Sequence, residues 1–129
     1  MAWSGYPRRS KYGANKVTVD GVEFDSKREA RRWCQLQMLV KAGEIYDLKR
    51  QVSFELIPAQ YEPEIRTKTG GTKRGRCIER KCEYVADFAY RSAKTGEYIV
   101  EDAKGVRTDV YKIKRKLMLY VHGIAVREV

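Results

Sequence analysis

A single mixed α/β domain is predicted by three features of the sequence. The alternating segments VTV and VEF flank Asp20-Gly21, the arrangement expected of a tight β-hairpin. Two amphipathic segments carry residues that start and stop helices. The last passage runs strand, helix, strand, and such a crossover places its two strands parallel in one sheet. At 129 residues the chain suits one domain with one core. Residues 1–16 read as a flexible basic arm and residues 17–129 as the folded unit.

The elements follow in order. Val17–Phe24 forms the hairpin. Ser26 opens a helix with Glu29 three positions on, in capping-box spacing, and Gly43 closes it. Trp33, Leu36 and Val40 make its apolar stripe, with Arg28, Arg31, Arg32 and Gln35 on the other side. Residues 45–57 read as a strand, straight or bent, that stops at Pro58. The stretch Thr67–Gly75, with three glycines, reads as a mobile loop. Residues 78–91 and 97–104 read as strands joined by the turn Ser92–Gly96. A second helix runs from about Thr108 to His122, stopped by Gly123, with Val110, Ile113, Leu117 and Val121 as its packing stripe. Ile124–Val129 is the last strand.

Charge narrows the partners. Lys and Arg number 27 against 17 Asp and Glu, a net charge of +10, which calls for a polyanion, either nucleic acid or an acidic membrane surface. The excess is concentrated. Residues 66–81 hold seven basic residues against Glu79, and residues 107–116 hold five against Asp109. Lys73, Arg74 and Arg76 on the glycine-rich stretch can follow a phosphate backbone and release counterions; the alternative is a solvated loop that aids solubility. A membrane surface would want an apolar face beside the charge, and this stretch has none. Lys112, Arg115 and Lys116 lie away from the stripe of the second helix, as DNA contacts or as a solvated face, and Arg107 just before the helix is a further candidate DNA contact. Leu119 on that polar side hints at self-contact, and hence a homodimer.

Other classes recede. Cys34, Cys77 and Cys82, with no CxxC and a single His122, support neither a disulfide framework nor structural zinc. No apolar run nears the ~20 residues of a membrane span, and no secretory pattern follows Met1. A cytoplasmic setting is expected.

Four charged residues resist a purely structural reading. Glu29 either completes the helix cap or faces a cleft, since it points along the apolar side of its helix. Asp87 sits inside YVADFAY and Asp102 inside YIVEDAKG, acids in apolar strands that lack solvation unless they are partnered. Alternation puts Asp102 and Lys104 on one face and Glu101 on the other. A hairpin turning near residues 94–95 brings Asp87 level with Asp102. Two carboxylates and a lysine then share one patch, suited to a hard divalent cation such as Mg²⁺ and to phosphate chemistry. An edge strand with a solvated ion pair is the structural alternative.

These residues have the form D-x(14)-D-x-K, with Glu29 on the preceding helix, and this resembles the PD-(D/E)XK nuclease superfamily. Over roughly residues 17–129 the pattern FDSKREA, YVADFAY, YIVEDAKGV is similar to small phage and prophage nuclease-like proteins, transposon end-cleaving endonucleases and Holliday junction resolvases. The resemblance implies a restriction-endonuclease-like core of helix, three-stranded sheet, helix and strand. It implies Asp87, Asp102, the Ala103 carbonyl and Glu29 as metal ligands, with Lys104 as the catalytic lysine. It implies a Mg²⁺-dependent hydrolase, with Mn²⁺ as a substitute, acting on DNA, branched DNA above all, in phage-type recombination inside a host cytoplasm. Two departures stand out: Ala86 replaces the proline before Asp87, and Glu101 beside Asp102 leaves a second register for the ligand. A sequence-directed or transposase-like cutter, and a non-catalytic DNA-binding module of the same fold, are the rival readings.

Overall fold

The structure is a computed structural model that describes residues 16–129. The basic arm read for residues 1–16 lies outside those residues except for Lys16, which pairs with Glu23 at 3.3 Å. Strands β1 (Val17–Val19) and β2 (Val22–Phe24) form the expected hairpin. Asp20 and Gly21 take φ 49° and 77°, the left-handed pair that matches a two-residue turn to strand twist.

Helix α1 (Lys27–Lys41) begins at Ser26, whose Oγ accepts the Glu29 N–H at 3.1 Å. The Glu29 carboxylate does not return the bond to Ser26. It accepts the Asp25 N–H instead, at 3.3 Å, so the capping box is half made. Leu36 is buried as expected, but Val40 is exposed and Leu39 packs in its place.

Strand β3 (Ile45–Ile57) is bent, with positive φ at Asp47 and Gln51. The basic stretch that follows carries short paired strands, with a turn between them at residues 67–71. Strands β4 (Gln60–Tyr61), β5 (Ile65–Arg66), β6 (Thr72–Lys73) and β7 (Cys77–Glu79) pair as β4–β7 and β5–β6, two short antiparallel ladders that make a finger. Gly75 is needed there for close approach, since a Cβ at this position would stand 2.2 Å from the Glu62 carbonyl oxygen. The strand expected over residues 78–91 is therefore split between β7 and β8 (Cys82–Ser92).

Strand β9 (Tyr98–Asp102), helix α2 (Asp109–His122) and strand β10 (Arg127–Glu128) complete the chain. The main sheet has the order β10-β9-β8-β3. β10 runs parallel to β9, as the crossover requires, and the other pairs are antiparallel. Leu36 of α1 packs with Ile45, Phe88, Tyr90 and Ile99. Tyr111 and Met118 of α2 pack with Leu56, Tyr84, Ala86, Ala89 and Val100. Neighbours such as Ile99 and Val100 thus enter different clusters, and the sheet lies between its helices. Among the described residues no helix is long and apolar enough to cross a membrane.

The packing stripe of α2 departs from expectation. Val110, Ile113 and Val121 are 63%, 59% and 45% exposed, while Tyr111 and Met118 are buried and, of the expected stripe, Leu117 packs beside them. The helix is turned by about one residue, 100°. The buried face is the one whose aromatic hydroxyl finds a partner, with Tyr111 Oη donating to Glu128 at 3.1 Å. Apolar periodicity alone does not register that bond.

Gly75→Ala should loosen the finger without unfolding the core. Hydrogen exchange should accelerate across residues 60–79 while the global melting midpoint barely moves; unchanged protection there would show that the ladder tolerates the added methyl.

Candidate active site

Register assembles the site. β8 and β9 pair Phe88 with Glu101 and Ala89 with Val100, and one further step brings Asp87 opposite Asp102. Side-chain alternation slips at this point: Tyr84, Ala86 and Ala89 enter the α2-side cluster, whereas Phe88 and Tyr90 enter the α1-side cluster. On the neighbouring strand Gln51 lies between the pairs Arg50–Phe88 and Val52–Ala86 and has φ 51°. A non-glycine residue held there costs roughly 1–3 kcal/mol, strain that tends to cluster at working sites.

The two adjacent acids of β9 are treated differently. Glu101 accepts two bonds from Arg32, through Nε and Nη2 at 2.7 Å each, and a third from the Tyr90 hydroxyl. Asp102 accepts from Tyr84 Oη at 2.5 Å and lies 3.4 Å from Lys104 Nζ, both through Oδ2. Its Oδ1 is buried without a hydrogen-bond partner. Of the two registers left open by the sequence, Glu101 has its lone pairs taken by a fork of donors, and Asp102 keeps one oxygen free.

Asp87 accepts the Ala103 N–H at 2.9 Å. Burial, then the neighbouring Asp102 carboxylate, push its pKa up to about 8, against the lowering effect of that N–H. Burial also raises Tyr84, followed by its bond to Asp102, so this hydroxyl stays a donor. Two apposed acids away from water need a shared proton or a cation.

Glu29 is 3% exposed, and burial lifts its pKa despite the bond from the Asp25 N–H. Gln51 Nε2 donates to it at 3.2 Å, and Arg50 stands 3.7 Å away. Glu29, Asp87, Ala103 and Lys104 line one cleft of about 320 Å³ together with Arg28 and Asp25. Asp102, almost wholly buried, is not among that cleft's lining residues. Lys104 Nζ sits 4.6 Å from the centre of the Tyr111 ring. Glu29 therefore shares the cleft with Asp87 but does not converge with both aspartates. Among the described residues no three His, Cys, Asp or Glu side chains are gathered as a ready metal cage.

The basic residues divide. Lys73, Arg74 and Arg76 stand exposed on the finger, with the Arg74 guanidinium 4.4 Å from the Tyr61 ring centre and Arg76 facing Glu62 at 3.9 Å. Lys112 and Lys116 are exposed on α2. Arg107 and Arg115 are not free cations: both pair with Glu128, at 2.5 and 2.7 Å. The Arg115 bond holds the Glu128 carboxyl below the usual range, and the group braces β10 against α2.

Residues 9–126 match the model of a family described as "Protein of unknown function (DUF1064)". The chain belongs to the DUF1064 family. No curated protein and no solved structure matches it. The span shared with DUF1064 takes in every residue of the cleft and the finger, and stops short of Glu128.

Sequence reasoning missed the partners: Arg32, Gln51, Tyr84 and Tyr90. Periodicity puts Arg32 on the polar side of α1, yet it reaches the sheet at Glu101. The available signal was Glu101 itself, because an acid in an apolar strand needs donors from neighbouring elements, and tyrosines on the paired strand can supply them.

Stability should carry the mark of the Asp87–Asp102 pair. A carboxyl whose pKa is raised on folding favours the folded state when protonated, so stability of metal-free protein should fall as pH rises from the ordinary carboxylate range through about 8. Denaturant melts in chelator should show this decline, and Asp87→Asn should flatten it. A wild-type curve that rises across the same interval would contradict the assignment.

Proposed function

We propose that this DUF1064 chain is a metal-dependent DNA endonuclease that hydrolyses phosphodiester bonds. The observation carrying the reading is the buried apposition of Asp87 and Asp102 with Asp102 Oδ1 unpartnered and Lys104 beside them. The order helix, three strands, helix, strand supports a restriction-endonuclease-like core, in keeping with the D-x(14)-D-x-K resemblance.

The donor set fits a hard cation such as Mg²⁺ or Mn²⁺: two carboxylates in contact, one orphaned oxygen and no soft ligand in the cleft. Asp87 and Asp102 would hold it, with the Ala103 carbonyl as a further ligand and Glu29 on the approach. When bound, such an ion neutralises charge on a phosphate and lowers the pKa of water.

The rest belongs to the chain. Asp87, held above the ordinary carboxylate range by burial and Asp102, would release its proton to solvent when a cation occupies the pair. Tyr84 and the Ala103 N–H fix the two carboxylates in place. Glu29, whose pKa burial raises, would hold water on the cleft wall and accept a proton from it. Lys104 stabilises negative charge that develops at phosphorus. The exposed cations of the finger and of α2 take flanking phosphates. By the same resemblance the substrate is branched DNA, four-way junctions in particular.

Two observations favour a second reading, a non-catalytic DNA-binding module. Lys104 is engaged with Asp102, and the three acids form no cage.

Cleavage decides between the two. Purified protein should cut DNA with Mg²⁺ or Mn²⁺ and stop in EDTA, in a panel of junction, fork, duplex and single strand. Asp87→Ala and Lys104→Ala should lower the rate by roughly two orders of magnitude or more while DNA binding persists. Activity indifferent to the chelator would remove the metal; no cutting on any substrate would leave only a binder. Separately, neutralising Lys73, Arg74 and Arg76 should reduce the salt dependence of binding by about 0.9 in log–log slope per lost phosphate contact. An unaltered slope would return the finger to solvent.

A further inference from the structure

The first half of α1 is charged against its own interest. Lys27, Arg28, Arg31 and Arg32 crowd the N-terminal turns, where the helix macrodipole is positive and cations are unfavourable. Arg28 and Arg31 also stand three residues apart on one face, a like-charge spacing that costs stability. Arg32 has a structural reason to be there, its fork on Glu101. Among the described residues Arg28 and Arg31 pair with no Asp or Glu, and the polar contact of the Arg28 side chain is a long 3.4 Å bond to the main-chain oxygen of Val129.

These side chains line a second concavity. It measures about 470 Å³ and is walled by Arg28, Arg31, Arg32, Gln35 and Val129. Arg28 also lines the Asp87–Lys104 cleft, so the two hollows share a wall. No Asp or Glu side chain lines the second hollow. Its one acidic neighbour, Glu101, is already spent on Arg32 and Tyr90. Arg32 Nη1 donates to Gln35 Oε1 at 3.1 Å, which leaves the Gln35 amide NH₂ as another donor.

We propose that this hollow is a phosphate-anchoring site, in which Arg28 and Arg31 grip a backbone phosphate of the strand whose neighbouring phosphate occupies the Asp87–Lys104 cleft. A planar fork of N–H donors suits a phosphate's paired oxygens. The anion supplies countercharge to two guanidiniums at a helix start that no Asp or Glu side chain meets. The strand thus crosses the beginning of α1, with Arg28 between the two phosphates. The proposal rests on the nuclease reading for the identity of the second cleft's occupant, though not for the grip itself.

The test is binding without cleavage. Full-length protein is titrated onto a fluorescein-labelled DNA duplex in EDTA, by anisotropy, across a salt series. Arg28→Gln/Arg31→Gln should bind at least tenfold more weakly, with a log–log salt slope smaller by about 1–2, as one or two phosphate contacts are lost. Its melting midpoint should not fall, because both side chains are exposed and neither pairs with an Asp or Glu. Lys41→Gln/Lys94→Gln removes two exposed charges elsewhere and should change the slope less. Equal losses in both double variants, or a wild-type slope for the arginine variant, overturn the site. If the arginine slope falls but no substrate is ever cut, the anchor stands and the nuclease reading fails. If DNA is cut and the slope is unmoved, the reverse holds.

Discussion

Two consecutive acids, Glu101 and Asp102, are each about 1% exposed on a strand in the middle of the sheet, and the rest of the architecture answers that constraint. Taking a carboxylate out of water costs several kcal/mol unless donors or opposite charge replace the lost hydration. Because successive side chains of a strand face opposite sides, one set of partners cannot serve both. Glu101 draws Arg32 from α1 and Tyr90 from β8, which fastens the first helix to its face of the sheet. Asp102 draws Tyr84 from β8 and Lys104 from its own strand's extension. The first acid is fully compensated and the second is not, and that asymmetry turns a structural strand into a site.

The opposite face is held by a separate device. Glu128 gathers Arg107, Arg115 and the Tyr111 hydroxyl, tying β10 and the start of α2 together beside Lys104. Tyr111 also lies under the Lys104 ammonium, so the lysine is positioned by a ring that this brace orients. The same arrangement turns Val110, Ile113 and Val121 outward. Cations that composition alone assigns to DNA are here partly structural, and the ones left unpaired on the finger, on Lys112 and Lys116, and at the start of α1 define where a polyanion can lie.

Much of the fold is local and therefore legible. The Asp20-Gly21 turn, the Ser26 and Thr108 caps and the Gly43 and Gly123 stops are set by a few neighbouring residues, and each ends its element near the expected place. The level pairing of Asp87 with Asp102 also follows from turn position, since a hairpin's register is fixed by where it turns. The short ladders of the finger are not legible, because glycine near charge resembles a loop, while Gly75 is there to let two backbones approach.

From the sequence by itself came the element order, the parallel crossover and the identity of the unusual acids, all of which depend on residues close in the chain or on simple alternation. Only the tertiary structure decided which acid is saturated and which has an unpartnered oxygen, which face of α2 is buried, and which arginines are already engaged. Those outcomes depend on donors 18 to 69 positions away, Tyr84 for Asp102 and Arg32 for Glu101. No periodicity within a segment encodes a partner supplied by another, because burial and charge compensation are settled only when the segments meet.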